Sequence, residues 1–594
     1  MPMTPLPQLR LPSFPASPAS STASPRPAAS PPHSLHPAWV VLLISLWLAT
    51  VCNVPLWREV ATLPGQGSLR GYGFALAFGA IVTAGNAGLL ALLAWRWTLK
   101  PAAALLVLMA AFGAYFMLAY GIAIDASMLT NVVQTDVHEA GDLLSLRMLA
   151  TVAALAAPPL LWLARTPVRR LPPLRQVAHN GLLLLGSVVV IVASLLLVFQ
   201  DFSSTMRNHT KLRYLINPLN SVYALGNVVT KPLRMDHHTL IPVGRDAHLG
   251  ASYAGQADKP PLLVLVLGET GRSGNFGING YARDTTPLLS ARKDQLVSAG
   301  NAWSCGTSTA ASVPCMFSHL GKSGYEGRSA NFESLVDVLH HAGLAVLWLD
   351  NQSGCKGVCD RLGDTNTANL KDPELCAHKG ECLDRIMLKD LDARIAALPA
   401  EQRQRGTVVV MHQLGSHGPA YFKRSAPDAK RFLPECTSTA LQECSRQQVV
   451  NAYDNSIVET DRFLDGVLQW LGTQNANAQT AMVYVADHGE SLGENNIYLH
   501  GLPYSIAPDV QKHVPWITWL SPAMQSRVGA STGCLQRDLR ERRITHDSYF
   551  HSVLGLMDVQ TGAYRPELDV FTPCRDAGAA QAKADSPIAA PRKS

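Results

Sequence analysis

Glu269, Asp350, His412 and the adjacent Asp487 and His488 each stand close behind a short apolar run: 262–267 (LLVLVL), 345–349 (AVLWL), 407–411 (TVVVM) and 481–486 (AMVYVA). Runs of this length, rich in β-branched residues and bounded by polar ones, read as buried strands. In open α/β sheets, ligands collect beyond the carboxyl ends of the strands. Carboxylates and imidazoles after all four runs therefore make one pole rich in metal ligands. Its mixed oxygen and nitrogen donors are those zinc accepts. His417 sits in GSHGP, where glycines permit a tight turn, and His500 follows in a polar loop. A loop histidine by itself is ordinarily just exposed, so these two gain meaning only from sharing that pole.

The stretch 303–318 reads WSCGTSTAASVPCMFS. Cys305 and Cys315 would tie off a compact loop around Thr307, Ser308 and Thr309. Small residues leading into a helix present backbone N–H groups to an anion. A hydroxyl there, beside a metal, can lose its proton and attack phosphorus. Ser and Thr are also ordinary helix caps, and the residues alone do not choose among the three hydroxyls. The glycines of GETGRSGNFGINGY do not fit GxGxxG, which excludes a dinucleotide site. No HExxH, P-loop or GxSxG motif occurs.

The elements that must hold this chemistry are strands alternating with helices, expected around 331–342, 384–397 and 446–471. That alternation predicts an α/β domain with a mostly parallel central sheet. Cysteines staple it. Ten of the 11 lie after residue 300, and eight fall into close pairs: Cys305/Cys315, Cys355/Cys359, Cys376/Cys382 and Cys436/Cys444. Four similar pairs predict disulfides and an oxidising compartment, rather than a zinc site using Cys355, Cys359 and His378. Cys534 and Cys574 are candidates for a fifth bridge, and Cys52 lies in an apolar run.

Before residue 200 the texture differs. The 594-residue chain is 47% hydrophobic and only 16% charged, against roughly 25% charged in soluble proteins. Five apolar spans, near 38–56, 71–95, 101–124, 143–164 and 179–199, are each long enough for a hydrocarbon core of ~30 Å. Arg96, Lys100, Arg165, Arg169, Arg170 and Arg175 flank the even-numbered loops, against Arg58 and Arg70 for the odd ones. The positive-inside rule then places the N-terminus in the cytoplasm and residue 200 onward outside, in agreement with the cysteines. The net charge of +6 falls wholly within residues 1–200, which excludes a basic face for nucleic acid. The expected organisation is a disordered tail at 1–37, a membrane domain at 38–200, and an interfacial helix and linker at 201–258. A catalytic α/β domain at 259–575 and a disordered tail at 576–594 follow. In the polar loop 125–142, spacings of four put Asn131, Thr135 and Glu139 on one helix face.

LGETGRSGNFGINGYARDTTP, CGTSTAASVPCMFS, DNQSGCKGVCDR, HQLGSHGPAYFKR and VADHGESLGENNIYLHG together resemble the phosphoethanolamine–lipid A transferases of polymyxin-resistance type, in the alkaline phosphatase superfamily. The resemblance runs over about 38–575. It implies an alkaline-phosphatase/sulfatase-like domain in the periplasm on a five-helix anchor in the inner membrane, acting as a monomer. Carried over by motif, Thr309 becomes the nucleophile, and Glu269, Asp487 and His488, with Thr309 itself, become the ligands of one tight zinc. His417 and His500 become substrate-phosphate or second-zinc residues, either of which can act as general acid. Ser353 and Lys356, with Asn131, Thr135 and Glu139, become contacts to the phosphoethanolamine group. The implied donor is phosphatidylethanolamine, the acceptor a phosphate of lipid A, and the intermediate a phosphoethanolamine–threonine ester. The alternatives are the same chemistry on another lipopolysaccharide or glycan acceptor, or a membrane-anchored phosphodiesterase or sulfatase-type hydrolase. A sulfatase needs a CxPxR or SxPxR context, which Thr309 lacks.

Overall fold

A computed structural model of the protein describes residues 34–134, 141, 143–234, 236–254, 259–367, 370–376 and 381–575. Thr135, Glu139, His378, nearly all of the N-terminal tail and residues 576–594 lie outside the described residues.

Five helices are long and apolar enough to cross a membrane: α1 (Pro37–Ala61), α2 (Leu69–Leu92), α3 (Leu99–Tyr120), α4 (Leu146–Arg165) and α5 (Pro173–Leu197). Each matches an expected span. The largest difference is at α5, which starts at Pro173 rather than 179. Proline is favoured in the first helical turn because its missing N–H would be unpaired there. Arg175, expected in a loop, thus falls inside the helix. α2 packs on α5 and α1, and α3 on α4. Buried amides tie the bundle to the segment that follows it. The Asn217 backbone N–H donates to Asn53 Oδ1 (2.9 Å), and its side-chain amide donates to the carbonyls of Cys52 (3.1 Å) and Ala110 (2.7 Å). Interhelical amide bonds of this kind hold helices together where lipid offers no hydrophobic driving force.

A short helix, Ala126–Gln134, follows α3 and carries Asn131. Beyond α5, residues 199–234 are mainly helical (Phe199–Asn208, Lys211–Tyr214 and Leu219–Arg234). α3 ends at Gly121, whose φ of +67° favours glycine. A Cβ there would stand 2.6 Å from the Asn496 carbonyl oxygen. This close approach, with a small apolar cluster of Ala123, Ile497, Leu502 and Ala507, joins the helical half to the α/β half.

The central sheet has eight strands: β1 (Pro261–Gly268), β2 (Leu296–Trp303), β3 (Ala345–Asp350), β4 (Thr365–Asn366), β5 (Thr407–His412), β6 (Gln479–Ala486), β7 (His513–Leu520) and β8 (Ile544–Thr545). Their order is β8-β2-β7-β6-β1-β5-β3-β4. The four strands expected from the apolar runs (β6, β1, β5 and β3) are adjacent and parallel. β7 is antiparallel to both its neighbours. Successive side chains point to opposite faces. Leu262, Val264 and Val266 of β1 join Tyr453, Ile457 and Phe463 of the long helix Arg446–Gln474. Leu263, Leu265 and Leu267 join Leu335, Tyr549 and Phe550 on the other face. Helices on both faces explain why the central strands are continuous apolar runs rather than alternating ones.

The expected bridges Cys305–Cys315, Cys355–Cys359, Cys376–Cys382 and Cys436–Cys444 all form, and Cys534 pairs with Cys574 as a fifth. Cys355 and Cys359 are bonded to each other, which leaves neither sulfur as a thiolate ligand for the rival zinc site. The Cys436–Cys444 bridge closes the loop that leads into the long helix. Cys436 is buried and its N–H donates to the Gln448 carbonyl (2.9 Å) in the first turn of that helix. Cys444 is only half-buried, and its N–H donates to the Leu441 carbonyl (3.2 Å) just before the capping Ser445.

Candidate active site

The parallel strands deliver their polar ends to one pole, where Glu269, Asp487 and His488 converge. One ligand atom from each lies within 4.8 Å of the others. Glu269 is 2% exposed, and Asp487 and His488 are 0% exposed. Gly415 (φ +53°) lets the loop after β5 close over this cluster, because a Cβ there would sit 2.6 Å from the Glu269 carbonyl oxygen.

Of the three hydroxyls left open by the sequence, Thr309 is the one at the cluster. It opens the helix Thr309–Met316 and is 4% exposed. Its Oγ1 donates to Glu269 Oε2 at 3.0 Å and lies 3.4 Å from His488 Nε2. Thr307 donates instead to the Leu502 carbonyl (2.6 Å). The Cys305–Cys315 disulfide closes the loop beneath.

The electrostatics fit a cation. His488 Nδ1 lies 2.9 Å from the Gly489 carbonyl; donation there leaves the Nε2 lone pair facing inward. That Nε2 stands 3.4 Å from both Glu269 Oε1 and Asp487 Oδ2. Asp487 Oδ1 accepts from the backbone of His488 (2.7 Å) and Thr270 (3.2 Å), whereas buried Oδ2 accepts no hydrogen bond. Burial pushes the Asp487 carboxyl up to about 6 against the pull of nearby His412. Burial and neighbouring His500 hold the His488 imidazole well below its ordinary value, so it stays neutral. Buried lone pairs meeting at this spacing repel one another unless a cation lies between them. The set is three side chains plus a hydroxyl, which is the tetrahedral count of zinc.

The His500 ring lies 4.3 Å from that of His488, tilted by 43°, and 5.6 Å from that of His417. His417 is buried, which lowers its basicity, and His500 and Arg424 act in the same direction. Glu490 Oε1 faces His500 Nδ1 at 3.4 Å. Ser353 and Lys356 reach the cluster through a residue absent from the sequence-based set, Gln352. Lys356 Nζ donates to Ser353 Oγ (2.7 Å), Ser353 Oγ to Gln352 Oε1 (2.6 Å), and Gln352 Nε2 to Glu269 Oε2 (3.2 Å). The signal for Gln352 was its place between Asp350 and Ser353. Glu490 stood in DHGE beside the expected ligands and was likewise unassigned. Beneath the site, His412 Nδ1 lies 3.0 Å from Asp350 Oδ2, both fully buried. Burial raises the Asp350 carboxyl, but the imidazole and the Trp348 N–H outweigh it and hold it at about 2.

A cleft of about 550 Å³ lies beside this pole, on the side of the helical half; Ser308, Ala310 and Lys356 border it, whereas Glu269, Thr309, Asp487 and His488 do not. Ser127 and Thr130 of the Ala126–Gln134 helix line it, opposite Ser308, Ala310 and Lys356. Asn131 belongs to the same helix. The cysteines divide between this site and the rest of the domain. Cys305 and Cys315 line the cleft, whereas Cys436 and Cys444 neither line it nor join the ligand cluster. Cys444, bonded to Cys436, staples the loop ahead of the long helix.

Fold and site define a membrane-anchored member of the alkaline phosphatase superfamily. The Sulfatase family model matches residues 261–559, and the model for Phosphoethanolamine transferase EptA/EptB matches 82–233. Phosphoethanolamine transferase EptA of Escherichia coli K12 is 36% identical, over 91% of this chain and 97% of its own. Phosphatidylethanolamine transferase Mcr-1 of Escherichia coli is 34% identical, over 89% and 96%. The integral membrane protein lipooligosaccharide phosphoethanolamine transferase A from Neisseria meningitidis superposes with a TM-score of 0.85 at 32% identity, covering 91% of this chain and 99% of that one. The chain belongs to the phosphoethanolamine transferase family, and is a membrane protein with a soluble C-terminal domain.

Proposed function

We propose that this chain is a zinc-dependent enzyme that moves phosphoethanolamine from phosphatidylethanolamine to a phosphate of lipid A by way of an ester on Thr309. The observation that carries this reading is the Thr309 hydroxyl at a helix N-terminus, 3.0 Å from Glu269 and 3.4 Å from His488. Glu269, Asp487, His488 and Thr309 would hold the zinc. When bound, zinc supplies Lewis acidity, which favours the ionised threonine hydroxyl and offsets charge on the phosphoryl oxygens.

The residues of the chain do the rest. Thr309 Oγ1 gives its proton to the His417/His500 pair and bonds to phosphorus, the bond from phosphorus to the diacylglycerol oxygen breaks, and that oxygen takes the same proton from the pair. A phosphate oxygen of lipid A then attacks the same phosphorus, its proton passing to the His417/His500 pair, the bond from phosphorus to Thr309 Oγ1 breaks, and Thr309 takes that proton. Lys356, held over Ser353, faces the phosphoryl group as a positive charge. In-line positioning and charge neutralisation supply most of the rate. The His417 and His500 imidazoles also offer a second, weaker zinc position. Ser127 and Thr130 support the assignment of their helix, which carries Asn131, to the headgroup, and Thr135 and Glu139 are proposed for the same role from the family motif alone.

In this reading 38–200 anchor the chain in the inner membrane, 201–258 lie along its surface, and 259–575 form a periplasmic catalytic domain. Five crossings and five disulfides support that orientation. The added amine reduces the negative charge of the outer surface, so cationic peptides such as polymyxins bind it less. Mass spectrometry of lipid A from cells with and without the protein tests the reading. A gain of one phosphoethanolamine unit is expected. Unmodified lipid A together with free phosphoethanolamine would identify a hydrolase instead.

A further inference from the structure

Transfer between two lipids needs a hold on the acceptor as well as on the donor, and the Thr309 cluster accounts for one phosphorus. The cleft beside it contains a second cationic group that no step above uses. We infer that Arg328 holds a second, non-reacting phosphate of the acceptor glycolipid. This rests on the transfer reading of the preceding section.

Three cations line the cleft: Lys356, Arg361 and Arg328. Arg361 makes a two-point ion pair with Asp337. Lys356 is turned onto Ser353 and joined to Glu269 by a chain of three hydrogen bonds, and so belongs with the reacting phosphorus. Arg328 differs from both. Its Nη1 donates to the Tyr325 carbonyl (2.6 Å), and its guanidinium lies 3.5 Å from the centre of the Tyr325 ring. Among the described residues no carboxylate is within ion-pair distance of it. Of the carboxylates on the same walls, Glu326 pairs with Lys322, and Glu333 with Arg245 and His341. Asp360 is exposed.

A planar guanidinium held on an aromatic face in the wall of a cleft is suited to bind phosphate through two parallel hydrogen bonds. The donor has one phosphate, and that phosphate must sit at Thr309. An anion at Arg328 therefore comes from the other lipid. A phosphate there and a second at Thr309, which adjoins the cleft-lining Ser308 and Ala310, would fix the acceptor at two points, with its acyl chains toward the helical half.

Steady-state transfer by the full-length protein in mixed micelles tests this, with donor and acceptor varied separately. Diacylglycerol release from phosphatidylethanolamine without acceptor is the control for the donor half-reaction. Arg328→Ala is expected to raise KM for a bis-phosphorylated acceptor about tenfold, the effect of losing a charge-assisted pair. Donor KM and diacylglycerol release should stay within about twofold, and Arg328→Lys should recover part of the loss. The wild-type enzyme should prefer a bis-phosphorylated over a mono-phosphorylated acceptor by a similar factor, and Arg328→Ala should erase that preference. An unchanged acceptor KM, a rise in donor KM instead, or a wild-type enzyme indifferent to the second phosphate each overturns the assignment. A wild-type enzyme that releases diacylglycerol but modifies no acceptor defeats the transfer reading itself, and is told apart by that result.

Discussion

Thr309→Ala is expected to lower transfer by at least about 10⁴-fold, the scale of losing a nucleophile, while leaving the protein folded. The substitution removes one buried hydrogen bond to Glu269, worth about 1 kcal/mol, and a methyl-bearing side chain that alanine largely replaces. Helicity, disulfide content and thermal unfolding should therefore match the parent. Ser308, one residue away, serves as the internal comparison. It precedes the helix and makes no cap hydrogen bond through its side chain, so Ser308→Ala should retain activity within about tenfold. Full activity in Thr309→Ala, or equal losses in both variants, would remove the nucleophile assignment. Transfer and diacylglycerol release measured side by side provide the readout.

The second large effect concerns the metal. Dialysis of the full-length protein against a chelator is expected to abolish transfer, and zinc added back at about one equivalent to restore it. The physical ground is the buried meeting of Glu269, Asp487 and His488, each an electron-pair donor, around one point. Bound-metal analysis alongside the activity should show the two rising together. Asp487→Asn should lower the zinc content without lowering expression, since Asp487 Oδ2 accepts no hydrogen bond that the fold depends on. An enzyme indifferent to chelation would contradict the site.

Much of this architecture was legible in the sequence because burial on both faces writes a simple pattern. β1, β3, β5 and β6 are covered by helices above and below, so they read as uninterrupted apolar runs, and the ligands follow them directly. β2 and β7 were not legible. Pro515 inside HVPWITWL argues against a central strand, because proline cannot donate to the ladder. Yet β7 lies between β6 and β2, and its register to β2 shifts between Val514 and Trp516, around that proline. A bulge accommodates the missing donor. β2 carries Gly300 and Asn301 near its end, which reads as a turn.

Similar physics governs the site. Glu269, Asp487, His488 and the histidine loops were legible as residue types at strand ends. Residue types by themselves did not select Thr309 over Thr307 and Ser308, which only the family motif did, because the choice depends on how the loop 303–318 is folded against residues about 180 positions away. Gln352 was hidden for the same reason, since its role exists only once β3 and β1 bring Ser353 and Glu269 together. Among the disulfides, pairing followed spacing for the four short loops, Cys436–Cys444 included. Spacing did not tell which of those bridges stands at the cleft, because that depends on the fold around each loop. The Cys534–Cys574 bridge spans 40 residues and needed the fold to bring its ends together.

The most direct measurement is the mass of the protein itself. Full-length enzyme mixed with phosphatidylethanolamine alone, quenched in acid and digested, should carry one phosphoethanolamine unit on the peptide containing Thr309, and adding lipid A before the quench should discharge it. A protein that transfers the group while Thr309 stays unmodified, or one that carries the adduct on a different side chain, would contradict the account.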